Sequence, residues 1–230
     1  MSPWPGYFAA GLSGTAFLLA LRMLPESKNR NSDPTRRGLL DIEGLRLALS
    51  KPSIGGLLLT SFIVICSLAA FEATLALEIK VLFDSTFAGI SGNGGMSRAI
   101  AWAKSSGFDS ESDIRHVIVL GTFAYLGFVM TIAQGVLVRR VAGRASEGTM
   151  AVAGTIASVV SLVLLSVAVQ QEHFALLCVA MAMFVIGIAF VTPSLQSLVS
   201  RRTSPDQQGH VLGVAQSLSS FARIVGPVLG

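Results

Sequence analysis

The sequence predicts an all-α, polytopic membrane-spanning helical bundle with six spans. Three observations carry that reading. Apolar residues make up 52% of the 230 positions and charged residues only 13%, where a soluble domain carries about 25% charged. Mean hydropathy is +0.67. The charges are also gathered into short clusters between long uncharged runs, and clusters of that kind read as loops between membrane helices.

About 20 apolar residues are needed to cross a hydrocarbon core about 30 Å thick, because each backbone N–H and C=O must be paired inside its own segment. The first run of that kind covers residues 7–24, uncharged until Arg22, whose guanidinium can reach the headgroups. The second covers 53–83; its uncharged stretch at 54–71 continues past Glu72 and Glu78, a length that implies tilt. Spans 117–138 and 148–169 contain no ionisable residue and are joined by a short loop holding Arg139, Arg140 and Arg144, so they form an antiparallel pair. The fifth span, 174–200, is interrupted by Pro193, and the sixth, 211–230, carries Arg223 and Pro227. It stops while still apolar, so a truncated chain is expected at that end.

Lysine and arginine fall twelve to three on the two sides of these spans, which by the positive-inside rule places the turns at 25–52, 139–147 and 201–209 in the cytoplasm and both chain ends outside. Residues 25–52 have the Asn, Ser, Pro and charge content of a linker, with leucines between 39 and 49 that suggest a helix lying in the interface. The outer stretch 84–116 reads as a flexible loop with a small helical candidate at 97–104. The first residues lack the basic start and small-residue cleavage site of a secretory signal.

The net charge of +4 is explained by the basic turns, so no nucleic-acid partner is inferred; the partner implied is the lipid bilayer. Cys66 and Cys178 each sit in an apolar run and behave as small hydrophobes. No P-loop, paired-histidine zinc motif or nucleophile elbow is present, and His116, His173 and His210 stand alone at span boundaries. Neither an enzyme nor a metal or cofactor is expected.

Within a span the informative residue is a carboxylate, which is costly when ionised and is kept where it meets a cavity or partner. Glu72 is that residue, expected to take up and release protons; the alternative is a carboxylate reaching the outer headgroups. Glu78 lies about 240° round the helix from Glu72 and is expected to anchor at the interface near Lys80. Arg223 cannot shed its charge, so it either lines a substrate path or bonds carbonyls freed by Pro227. Ala222, Gly226 and Gly230 form a smooth stripe for close helix packing. Gln134, Gln196 and Gln216 are candidates for cavity lining or for bonding between helices.

The segment Gly135-Val-Leu-Val-Arg-Arg140-Val-Ala-Gly143-Arg144 resembles the cytoplasmic signature Gly-x-Leu-x-Asp-Arg-x-Gly-Arg-Arg of the major facilitator superfamily, with Arg139 where that family usually has aspartate. A longer stretch contains Gly187-Ile-Ala-Phe-Val-Thr-Pro193, Gly213-Val-Ala-Gln-Ser217 and Arg223-Ile-Val-Gly226-Pro227-Val-Leu-Gly230; it is similar to helices ten and eleven of the tetracycline-resistance and multidrug branch. Leu24-Pro25-Glu26-Ser27 resembles the end of helix six, and Phe71-Glu72 part of helix seven. The resemblance implies a twelve-helix, two-bundle carrier working by alternating access. Residues 1–24 would be the last helix of the N-terminal bundle, 25–52 the cytoplasmic linker, and 53–230 a truncated C-terminal bundle in need of its missing N-terminal partner. It further implies proton-coupled efflux of drug-like small molecules across the cell membrane. Glu72, Arg223, Gln134 and Gln216 would serve coupling or the cavity; Gly135, Arg140, Gly143 and Arg144 the cytoplasmic gate; Pro193, Gly213, Gly226, Pro227 and Gly230 helix packing. A carrier of a sugar, organic acid or siderophore, and a membrane sensor or assembly factor that does not transport, stay open as alternatives.

Overall fold

In the computed structural model, residues 4–23, 52–89, 94–205 and 207–230 are described. They are helical and, among the described residues, no strand occurs. The chain divides into two compact units, residues 1–41 and 42–230. Within the first, α1 (Trp4–Met23) is a continuous helix with Arg22 in its last turn, where a cation suits the helix dipole. The expected linker, with its interfacial helix, lies outside the described residues.

The second unit contains α2 (Pro52–Phe87), α3 (Gly94–Ser105), α4 (Glu111–Ile132), a π-helical turn at Ala133–Val138 leading into α5 (Arg139–Ala142), α6 (Glu147–Gln170), α7 (Phe174–Arg201) and α8 (Gln208–Leu229). Five segments are long and apolar enough to cross a membrane: Ser53–Phe87, Glu111–Ala142, Glu147–Gln170, Phe174–Arg201 and Gln208–Leu229. The protein is therefore a multi-pass membrane protein with an all-helical bundle. α1 occupies the place of the first expected span as a helix but is not one of these five.

Two close pairings organise the bundle. α6 and α7 form an antiparallel hairpin whose backbones touch: a methyl group on Gly154 would lie 2.7 Å from the Gly187 carbonyl oxygen, and one on Gly187 would lie 2.5 Å from Ser158 Oγ. α8 runs parallel to α2. Near their starts Ile54 and Leu58 pack with Val211 and Val214; further along, a methyl on Gly226 would meet the Cys66 carbonyl oxygen at 2.6 Å, and one on Gly230 that of Ala70 at 3.1 Å. Small residues matter here because lipid is as apolar as a leucine surface, so tight van der Waals contact has to hold the helices together. The main core is built by α2, α3, α4, α6 and α7 around Phe71, Ile79, Phe83, Met96, Ile114, Met181 and Phe184, with the Phe71 and Phe184 rings 4.6 Å apart.

Three expectations change. The described parts of the stretch 84–116, residues 84–89 and 94–116, are not a loose loop: α3 turns Met96, Ile100 and Ala103 into the core, and Arg115 binds Asp84 and Glu111 at 3.7 and 3.3 Å and lies over the Phe83 ring. Apolar burial and charge pairing together make α3 and the start of α4 a cap on that end of the bundle. Pro193 does not interrupt its span, since α7 runs unbroken through it; in an apolar environment the remaining backbone bonds have no competing water, so one missing donor is tolerated. Arg139 and Arg140 belong to a helix, because the span continues through the π turn into α5, and only Arg144 lies in the turn itself.

Candidate functional site

Ser61, Ile65, Leu68 and Glu72 recur along α2 at steps of four, three and four residues, which keeps them within about 60° of one another around a helix of 3.6 residues per turn. On α7, Val185, Ile188, Thr192, Gln196 and Val199 share one face by the same arithmetic. Two cavities lie one above the other along these two faces.

The larger, about 410 Å³, is closed on its third side by α8. Its wall contains Ser61, Thr192, Gln196, Ser200, Gln216 and Ser219 among aliphatic residues, and no charged side chain. The hydroxyls of Ser61 and Ser219 donate to the carbonyls of Leu57 and Ala215 in their own helices. The amides of Gln196 and Gln216 are exposed into the cavity, and each offers both donors and an acceptor. A neutral polar group can be bound there, and the aliphatic wall can cover the rest of a ligand.

The smaller, about 240 Å³, is closed by α4 and lined by Leu68, Phe71, Glu72, Phe123, Leu126, Gly127, Met130, Val185 and Ile188. Glu72 is its single ionisable residue. It stands about 16 Å along α2 from Ser61 at ~1.5 Å per residue. Glu72 is exposed, and the groove sets it beside the rings of Phe71 and Phe123 and the thioether of Met130, which can cover a lipophilic ligand.

Thus Gln216 lines the larger cavity and Glu72 the smaller, and Gln134 and Arg223 line neither. Gln134 is exposed on the π turn with Gly135 beside it. Around Gly135, Gly143 and Gly213 there is open space, whereas Gly226 and Gly230 are pressed on α2. Arg144 donates to the Arg140 carbonyl at 3.2 Å. Pro227 is carried within α8, and Gly230 N–H donates to the Gly226 carbonyl just beyond it.

Glu78 is half-buried, with Oε2 enclosed and without a hydrogen-bond partner, in a groove with Leu77, Val81, Leu82, Ser85, Val169, Glu172 and Leu177. Its neighbours Leu75, Ile79 and Leu82 are core residues, and the groove lies between α2 and the turn that joins α6 to α7.

Sequence reasoning missed a cluster at the basic end. Glu147, which opens α6, accepts from Arg201 at 2.9 Å and from Ser197 Oγ at 3.1 Å, and Arg202 reaches the Ser53 carbonyl at 3.4 Å. These contacts join α6, α7 and α2 where the arginines gather. The one available signal was Glu147 alone in a basic turn. His173 was also missed as a cap: its Nδ1 accepts from Leu176 N–H at the start of α7.

Comparison with known proteins matches residues 2–227 to the family model described as Major Facilitator Superfamily. Over 107 residues the chain is 29% identical to Major facilitator superfamily domain-containing protein 10 of Mus musculus, covering 46% of this chain and 23% of that protein. The protein of the same description from Bos taurus is 32% identical over 109 residues, with the same two coverages. The match thus spans about a quarter of these relatives' length. No solved structure matches.

Proposed function

The chain belongs to the major facilitator superfamily, and from that premise we propose that it is part of a proton-coupled carrier that exports drug-like small molecules by alternating access, in the tetracycline-resistance and multidrug manner. The observation that carries this reading is the seam of α2 and α7, where a neutral polar cavity and a lone carboxylate share one face. Cargo rests against Gln196 and Gln216, covered by the aliphatic wall. Glu72 holds the proton: protonated, it leaves its groove neutral and compatible with the apolar surroundings; ionised, it favours the conformation that opens the groove to water. The two bundles rock about the seam, and the segment with Gly135, Arg140, Gly143 and Arg144 closes the basic end, on the cytoplasmic side of the cell membrane. Transport requires the other bundle, so these 230 residues by themselves do not transport.

The uncharged hydroxyl and amide lining of the larger cavity also favours a second reading, a carrier for a polyhydroxylated cargo such as a sugar. One experiment separates the two. The full-length protein is reconstituted in liposomes, a pH gradient is imposed, and the movement of tetraphenylphosphonium, ethidium, neutral drugs and labelled hexoses is followed. The efflux reading predicts gradient-driven movement of the drugs that Glu72→Gln uncouples from pH. Hexose flux alone, insensitive to Glu72→Gln, selects the second reading, and no flux of any cargo refutes both.

A further inference from the structure

The groove beside Glu78 is separate from the two cavities and shares no lining residue with either. Its α2 wall is made by Leu77, Glu78, Val81, Leu82 and Ser85, which fall within about 140° of one another on a helix of 3.6 residues per turn. Val169 and Glu172 close it from the end of α6 and the turn that follows, and Leu177 from the start of α7. It therefore lies at the opposite end of the α6–α7 hairpin from Glu147 and Arg201. Leu82 and Leu177 form a buried floor, whereas Leu77 and Val81 are 61% and 62% exposed, so the groove opens sideways onto the surface that a spanning helix presents to lipid.

Its charge is one-sided. Glu78 and Glu172 line the groove, and no lysine or arginine does. Oε2 of Glu78 is enclosed and receives no hydrogen bond, while Ser85, the one hydroxyl in the wall, donates to the Leu82 carbonyl at 3.1 Å. A carboxylate oxygen enclosed without a donor is costly. Glu172 adds a second acid at a place where the backbone is left-handed, with φ 51°, a conformation that suits glycine better than any residue with a side chain.

We propose that this groove binds the headgroup of a bilayer phospholipid that ends in a primary ammonium. The ammonium pairs with Glu78 and Glu172, and the first carbons of the lipid chains lie on Leu77 and Val81. Turning the Glu78 carboxylate about its terminal bond, a broad and soft torsion, brings Oε2 to an N–H of the headgroup. Lys80, exposed on α2 one turn beyond Leu77, offers a cation for the headgroup phosphate. The chemistry of the wall selects this occupant. A divalent cation takes six to eight oxygens, and it would leave five aliphatic side chains of the groove uncovered. A quaternary ammonium carries the charge but has no N–H to donate. At about 220 Å³ the groove is smaller than the ~300–1,000 Å³ of a drug-sized site, which fits a headgroup and not a whole cargo.

The test uses the full-length protein in detergent and adds phosphatidylethanolamine, phosphatidylcholine with the same chains, or the tailless O-phosphoethanolamine. Native mass spectrometry counts the lipid retained, and the thermal unfolding midpoint is followed in parallel. The wild type should bind phosphatidylethanolamine at least about tenfold more tightly than phosphatidylcholine, the difference expected for a hydrogen bond to a charged group, and O-phosphoethanolamine at the same concentration should shift nothing. Glu78→Gln should abolish the preference, and Glu147→Gln at the other end of the hairpin should keep it. If Glu78→Gln does not fold, Glu172→Gly, which suits the backbone of its turn, should weaken phosphatidylethanolamine about two- to fivefold, as for a partly exposed ion pair, and leave phosphatidylcholine as it was. Equal binding of the two lipids by the wild type, a preference that survives the change at Glu78 or Glu172, or an equal shift by O-phosphoethanolamine overturns the proposal. No cargo enters the readout, so that failure would leave the carrier reading untouched.

Discussion

Gly154 and Gly187 meet backbone to backbone across the α6–α7 hairpin, so that a methyl on either would lie 2.7 Å from the other's carbonyl oxygen. A carbonyl cannot swing aside as a side chain can, so Gly187→Ala and Gly154→Ala must push the helices apart. Overpacking of this kind costs about 1–3 kcal/mol. Each change should lower the thermal unfolding midpoint in detergent. Gly213→Ala, with open space around it, should leave the midpoint where it was, and equal losses at all three positions would disprove the packing described.

Removing the amide of Gln196 or Gln216 should weaken cargo binding. One neutral hydrogen bond contributes about 0.5–1.5 kcal/mol, which at 1.4 kcal/mol per decade is roughly a two- to tenfold rise in KM. Gln134→Ala, away from both cavities, should change nothing. Steady-state uptake into vesicles reads all three.

Glu147 and Arg201 should contribute little to stability. Arg201 is 71% exposed and Glu147 28%, and exposed pairs are worth about 0–1 kcal/mol. A double-mutant cycle with Glu147→Gln and Arg201→Gln should therefore give a coupling no larger than that, falling further in high salt. A coupling of several kcal/mol would mean that the pair is enclosed in the full-length protein.

Met96 is fully buried while Trp102 on the same helix is 61% exposed. Met96→Ala should cost about 2–5 kcal/mol, as for other buried methionines, and should open the 94–105 segment to proteases. Trp102→Ala should do neither.

Five of the six spans were legible because a membrane helix must satisfy its own backbone, so length and apolarity alone mark 53–83, 117–138, 148–169, 174–200 and 211–230 to within six residues of the segments found, while 7–24 is a helix but not one of those five. α3 was not legible in its role, since twelve residues with three inward side chains look like any short polar helix until the core that receives Met96 is built. Pro193 was read by the rule for water, where a lost N–H bond is replaced by solvent and the helix can part. Gln196 and Gln216 were visible as residue types, but that they converge depends on α8 running parallel to α2, a tertiary fact set by Gly226 and Gly230. Glu147 and Arg201 stand 54 positions apart and meet only because the α6–α7 hairpin is antiparallel. Glu72 stood out because a carboxylate in an apolar run needs a reason, yet its groove also takes residues from α4 that carry no signal of their own.

The most direct test of the cavities along α2 and α7 compares positions that line them with positions that face away. In the full-length protein, with Cys66 and Cys178 replaced by alanine, single cysteines are placed at Ser61, Gln196, Ile63 and Val159 and treated in intact membranes with a membrane-impermeant, charged thiol reagent. Ile63 and Val159 are 55% and 57% exposed in the bundle, yet they lie outside both cavities, on surfaces that would face lipid. The account predicts rapid modification at Ser61 and Gln196, slowed by transported cargo, and none at Ile63 or Val159. Equal reaction at all four, or reaction at Ile63 and Val159 alone, would contradict it.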